Sequence, residues 1–182
     1  MPAFQLGRLR TSPVAEHPEL VAPAVWSALV AGDLADRVGV VEIDPDVSDT
    51  AATQETYGLD ADTLVNCVIV TGRRDGEERT AAVLIAAHTR ADINGLVKRR
   101  LDVRKASFLD REVAVETTGM EFGGITPIGL PASWPILVDS RIQNTPLVII
   151  GSGIRRSKLI VAGDLFADLP GAEVIADLGR EL

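Results

Sequence analysis

Residues 119–131, Gly119 to Pro131, read GMEFGGITPIGLP. The segment holds four glycines and two prolines but a single charge, Glu121. A surface connection is ordinarily polar because it faces water. Glycine adopts positive φ or lets two backbones approach closely, whereas proline fixes φ. Gly123-Gly124 followed by Thr126-Pro127 therefore sets pliant backbone beside rigid backbone, with Thr126 extended because it precedes a proline. A loop built this way exposes N–H donors, which hold a carbonyl or carboxylate without a charged side chain. Taken alone, a tight turn between two elements accounts for the same residues.

The flanking sequence supplies those elements. Upstream, DREVAVETTG reads as a short helix stopped by Gly119, and Asp92 caps another helix reaching Leu101. TLVNCVIVTG, Thr63–Gly72, is the strongest strand, and its near-continuous apolar character predicts cover on both faces. RRDGEE is a hairpin turn with Asp75-Gly76 at its tip, and RTAAVLIAA is the partner strand. Ser48 or Asp49 caps a helix over Thr50–Tyr57, which Gly58 ends. Downstream, WPILVDS, PLVIIGSG and KLIVAG read as strands, DLFADL as a short helix and AEVIADL as a last strand.

Helices and strands thus alternate, with hairpin-like strand groups, which predicts a single α/β domain of the α+β type. Residues 1–17 read as a loose leader and Pro18–Ala31 as a helix with Leu20, Val21, Ala24, Val25 and Ala28 on one face. The expected division is an N-terminal arm, residues 1–37, and a domain over residues 38–182.

Composition removes several function classes. The chain has 182 residues, 46% of them hydrophobic, and a net charge of -8. Such a chain builds a real core, and its overall field repels phosphate, so a nucleic acid must meet a local basic patch. One cysteine, Cys67, forbids an internal disulfide. With no apolar leader and no apolar run of membrane-spanning length, the expectation is a cytoplasmic location and no membrane partner. The two histidines, His17 and His88, have no neighbouring ligand at zinc spacing, so no metal is expected.

GSG at Gly151–Gly153 invites a dinucleotide reading but lacks the third glycine, since Arg156 stands there, and a strand follows rather than a helix. What remains is a small-residue turn flanked by Arg155, Arg156 and Lys158, cations suited to phosphate or to a solvated surface. KRRLDVRK, Lys98–Lys105, is a second basic group, in which Lys98 and Asp102 pair as on any helix surface.

With these residues in place, GMEFGGITPIGLP resembles the segment TGYxxGGxxPxG of the YbaK/prolyl-tRNA synthetase-associated editing domains. SDTAATQETYGLDADTLVNCVIVTG is similar to that family's early helix and central strand. DINGLVKRRLDVRKASFLDREVAVETTG resembles the segment leading into the loop, and WPILVDSRI, PLVIIGSG and AGDLFADL resemble the closing strands and helix. The resemblance spans about Val38 to Leu178. It implies a twisted mixed sheet curling toward a barrel, flanked by helices. It also implies hydrolysis of the ester of wrongly charged transfer RNAs, such as Cys- or Ala-tRNA(Pro), by a free-standing or inserted domain without metal or cofactor. The Gly-x-x-Pro loop would hold the aminoacyl group, and a positioned water with the terminal ribose hydroxyl would carry the chemistry.

One position departs from the family. Its members carry a lysine at the start of the central strand, in a pattern like V-x-K-[ST]-L-[LV]-V, where this chain reads LVNCVIV with Asn66 at the lysine position. Asn donates and accepts hydrogen bonds but supplies no cation. Lys105 and Arg73 are the substitutes that the pattern suggests. Cys67, next door, alternates to the opposite face and reads as a buried apolar residue.

Two readings follow. In the first the chain is a free-standing aminoacyl-tRNA deacylase. Gly123, Gly124, Ile125, Thr126 and Pro127 would hold the aminoacyl ester, Asn66 would orient it or a water, and Gly151, Ser152 and Gly153 would line the far wall. Arg155, Arg156, Lys158 and Lys105 would meet phosphates of the tRNA acceptor end. In the second the chain is a catalytically degenerate binding module of the same fold, recognising an aminoacyl- or nucleotide-like ligand or a protein. DNA is not an expected partner. A homodimer contact through Trp26, with Val25 and Leu29, is weighed against packing of that helix on its own domain.

Overall fold

The computed structural model describes residues 3–181, so the outermost residues of the expected arm and domain lie outside it. Strands β1 (Gln5–Leu6), β2 (Leu9–Arg10) and β3 (Ser12–Pro13) precede helix α1 (Pro23–Ala31). Then follow β4 (Val38–Glu42), α2 (Thr50–Tyr57), the long hairpin β5 (Val65–Arg74) and β6 (Glu77–Ala86), and β7 (Thr89–Ala91). Next come α3 (Lys98–Leu101), β8 (Lys105–Phe108) and α4 (Arg111–Thr118). The closing half contains β9 (Ile136–Asp139), α5 (Ser140–Gln143), β10 (Val148–Gly151), β11 (Ser157–Val161), β12 (Ala172–Ile175) and β13 (Gly179–Glu181).

Local chemistry sets the boundaries. Asp49 caps α2 by accepting the Ala52 N–H, and Gly58 ends it at φ +63°. Asp110 caps α4 through the Glu112 and Val113 N–H groups, and Gly119 ends it at φ +66°. Asp75 and Gly76 both take positive φ, the backbone that a two-residue hairpin turn requires. The Asp92 helix departs from expectation, opening with a π-helical turn over Ile93–Val97 before α3. The Asp92 carboxylate reaches past Gly95 to the Leu96 N–H, one residue beyond the farthest donor an ordinary cap takes, so the turn widens.

A five-stranded mixed sheet runs β12-β9-β6-β5-β8, and a four-stranded antiparallel sheet runs β10-β11-β4-β3. One parallel bridge, Leu64 to Ile149, joins them, and no closed barrel forms among the described residues. The main core lies between the sheets and includes Val38, Val65, Ile69, Leu84, Val138, Ile150, Leu159 and Phe166. A second cluster with Val70, Val83, Ile85, Val97 and Leu101 covers the other face of the five-stranded sheet. β5 and β6 therefore pack on both faces, which is why they read as nearly unbroken apolar runs.

The N-terminal residues are packed rather than loose. Leu9 and Val14 are buried, and Val14, Val25 and Leu29 belong to the main core. Gly39 makes this possible, because a Cβ there would strike Thr11 and Phe4. Trp26 packs partly buried against the same core, so Val25, Trp26 and Leu29 do not form an exposed patch.

Candidate active site

β6 occupies one edge of β5 along its whole length, whereas two strands share the other edge. β10 bridges Leu64, the residue just before β5, and β8 pairs only from Val70 onward. Val65–Ile69 lies between, with no strand beside it on this second edge. Because the Leu109 N–H donates to Ile69 O on this edge, alternation turns the N–H and C=O of Cys67 the same way. A cleft of about 540 Å³ opens at this gap, walled by β5, β10, Ser48–Thr50, α4 and the loop after Gly119. Most of its wall is apolar, including Val65, Ile69, Ala114, Ile125, Ile149 and Ile150.

Two polar side chains stand out in that apolar wall, and one short segment ties them together. Asn66 Oδ1 accepts the Thr50 hydroxyl at 2.7 Å, which leaves its Nδ2 to donate. Lys158 Nζ donates to the Ser48 carbonyl at 2.8 Å. Burial, with help from the nearby Arg155 cation, pulls the Lys158 amine from 10.5 to about 8, opposed by the Asp49 carboxylate. The amine remains mostly charged at neutral pH. Ser48 is itself buried, and its hydroxyl, enclosed within the wall, has no partner among the described residues. Lys158 reaches the cleft because β11 places it opposite Gly151 of β10 and Val41 of β4.

The opening loop is apolar because it is internal. Met120, Thr126, Pro127 and Ile128 are buried, with Met120 and Ile128 inside the main core. Its glycines permit a backbone-on-backbone crossing with the β10–β11 turn. The Gly153 N–H donates to Gly124 O at 2.7 Å, and the Glu121 N–H donates to Gly153 O at 2.9 Å. A Cβ on Gly124 would lie 2.9 Å from the Ile154 backbone, and one on Gly151 would overlap Gly124 O. Gly123 takes φ +88° at the cleft rim. The Gly124 N–H is satisfied by Glu121 O, while those of Gly123 and Ile125 have no partner among the described residues.

The residues singled out in the sequence divide accordingly. Asn66, Gly123, Ile125, Gly151 and Lys158 line the cleft. Gly124, Thr126, Pro127, Ser152 and Gly153 lie behind its wall. The Ser152 hydroxyl is spent on Ser157 and Ile154. Arg155 braces the loop, donating to Phe122 O and Pro45 O while its own N–H donates to Glu121. Arg156 pairs with Glu42 and donates to Glu19 O. Lys105 is exposed on β8 opposite Arg73, away from the cleft wall. Cys67 is only partly covered as a residue, but desolvation pushes its thiol up to about 12, which keeps it protonated. Ser48, Thr50, Phe108, Arg111 and Phe122 also line the cleft, and nothing in the linear sequence marked their side chains as part of a site. Among the described residues no three His, Cys, Asp or Glu side chains gather as a metal site would need, and no helix is long and apolar enough to cross a membrane.

Comparison with known proteins places this cleft in context. The aminoacyl-tRNA editing domain family matches residues 44–169. A candidate trans-editing enzyme for prolyl tRNA synthetase superposes with a TM-score of 0.73 at 21% identity, over 89% of this chain and 99% of that one. Hypothetical protein APE2540 superposes with a TM-score of 0.74 at 23% identity, over 86% and 99%. A designed scaffold for presenting linear epitopes gives 0.71 at 24% identity, over 94% and 99%. Comparison with curated proteins found no match. The family match covers most of the chain and every wall of the cleft, so the chain belongs to the aminoacyl-tRNA editing domain family.

Proposed function

We propose that this chain is a free-standing editing enzyme that hydrolyses the ester between an amino acid and the 3′ end of a mischarged tRNA, and that Lys158 supplies the cation. The observation that carries the reading is the position of Lys158, a mostly buried ammonium in an apolar cleft that also holds Asn66, the residue at the family's lysine position. A buried charge is costly and persists where it is used.

Water adds to the ester carbonyl and the carbonyl oxygen becomes an oxyanion; as the oxyanion collapses the C–O bond to the ribose breaks, and the proton given up by the water ends on the departing ribose oxygen. Free amino acid and a tRNA with a free terminal hydroxyl are released. The Lys158 ammonium stabilises the oxyanion, the term that usually dominates acyl transfer. Asn66 Nδ2 orients the ester or the attacking water. The N–H groups of Gly123 and Ile125 and the open backbone at Cys67 hold the aminoacyl group. Gly124, Thr126, Pro127, Ser152 and Gly153 act as the frame that fixes this wall. The apolar lining and modest volume favour small uncharged side chains.

The test is ester release from a broad panel of mischarged tRNAs by the wild-type chain. Release above the buffer rate from at least one small, uncharged aminoacyl group supports the reading. Tight binding of a non-hydrolysable aminoacyl-adenosine mimic without turnover would instead indicate a binding module.

A further inference from the structure

The chain contains seven aromatic residues, four Phe, two Trp and one Tyr. Phe108 at 62% and Phe122 at 47% are the only exposed ones among them, and both line the cleft. Isolated exposed apolar residues are ordinary, but two on one cleft rim in so aromatic-poor a chain are not scattered. They also stand on fixed backbone. Phe108 ends β8 in register with Val70, and the Leu109 N–H that follows donates to Ile69 O. Phe122 sits between Glu121, whose N–H donates to Gly153 O, and Gly124, whose N–H donates to Glu121 O, while Arg155 donates to Phe122 O. The Arg111 guanidinium stacks 4.2 Å from the Phe122 ring centroid on the same rim.

A rigid exposed ring backed by a guanidinium plane, beside a second exposed ring, is the chemistry that receives an unpaired nucleobase. Bases stack on aromatic and Arg faces, and Arg adds attraction for the phosphate. A protein or lipid surface would ask for a wider apolar patch. Among the described residues the only other exposed large apolar side chains are Val30, and Val113 on α4, and neither lines the cleft. We propose that Phe108, Phe122 and Arg111 form a stacking platform for the unpaired terminal base of the RNA whose ester enters the cleft. This rests on the hydrolytic reading above and identifies how that substrate is held outside the reacting centre.

The experiment measures binding of two short RNAs ending in CCA, each carrying alanine through an amide that cannot turn over. One has its terminal adenine and the other is abasic there. For the wild-type chain, loss of the base weakens binding by roughly tenfold. Phe108→Ala and Phe122→Ala each weaken the intact RNA by a similar factor and erase the difference between the two RNAs. Phe122→Trp restores both, and Val113→Ala behaves as wild type. Equal binding of the two RNAs, no binding of either, or unchanged affinity in the Phe variants overturns the platform. Hydrolysis of charged tRNA is scored separately on the same proteins. Turnover without base dependence sinks only the platform, and base-dependent binding without turnover sinks only the hydrolytic reading.

Discussion

Lys158 on β11 and Asn66 on β5 come from sheets joined by a single bridge, yet both are anchored by the three-residue stretch Ser48–Thr50. Ser48 O takes the Lys158 ammonium and the Thr50 hydroxyl donates to Asn66. A cation absent from one strand is thereby offered to the same cleft from another. Burial disfavours the charged form of Lys158, so in the proposed hydrolysis its ammonium is held at the expense of stability.

Replacing Lys158 by Met keeps most of the unbranched chain and removes the charge. Loss of an oxyanion-stabilising donor costs about 100-fold or more in rate. The same change relieves a desolvated ammonium, which predicts a gain of roughly 1–3 kcal/mol at pH 7. Single-turnover deacylation and urea unfolding check the two halves. A variant that loses activity and also loses stability would contradict this account of Lys158.

The pH dependence has a defined sign. Folded Lys158 loses its proton near 8, below the ordinary 10.5 of the unfolded chain. Between those values the unfolded state binds more protons, so this residue makes stability rise with pH from about 8 to about 10.5, and the penalty is fully present below 8. Activity that needs the ammonium falls as pH rises through 8. Burial causes most of the shift, and Arg155 and Asp49 are the charged neighbours that adjust it, with Arg111 also on the cleft wall. Arg155→Ala moves the falling limb toward higher pH, and Asp49→Asn moves it lower, as read from deacylation rates corrected for buffer hydrolysis.

Cys67 provides a contrast within the same wall. Its thiol is held protonated by burial, so it is no nucleophile at neutral pH. Cys67→Ala keeps the deacylation rate, and iodoacetamide at pH 8 labels the folded protein far more slowly than a free thiol. Rapid labelling with parallel loss of activity would contradict this.

The glycine crossing is a packing requirement. Gly151→Ala forces a Cβ against the Gly124 and Ile125 carbonyls, which are backbone atoms that cannot rotate away. Overpacking of this kind costs about 1–3 kcal/mol. Denaturant unfolding should show that loss, with a weaker affinity for the aminoacyl mimic because the Gly123–Ile125 wall shifts.

Where a residue's role depends on its neighbours in sequence, the linear chain was readable. Asp49 and Gly58 bound α2, Asp75-Gly76 turns the hairpin, and the apolar run after Thr63 becomes the strand covered on both faces. Roles set by distant pairing were hidden. Lys158 read as one more cation in a basic turn, because only the β11 register with β4 and β10 carries it into the cleft. The leader read as loose because strands of two residues have no periodicity, and the glycine that admits them, Gly39, lies elsewhere in the chain. The glycines of the opening loop showed their need for close approach, but not that the partner was the turn after β10.

The most direct measurement is amino acid release from a panel of mischarged tRNAs by three proteins: wild type, Lys158→Met, and Lys158→Met combined with Asn66→Lys. If Lys158 supplies the cation, the wild type releases the amino acid, the single variant does not, and activity partly recovers when a lysine returns to the family position. No release by the wild type from any tRNA in the panel, or full activity in Lys158→Met, would contradict it.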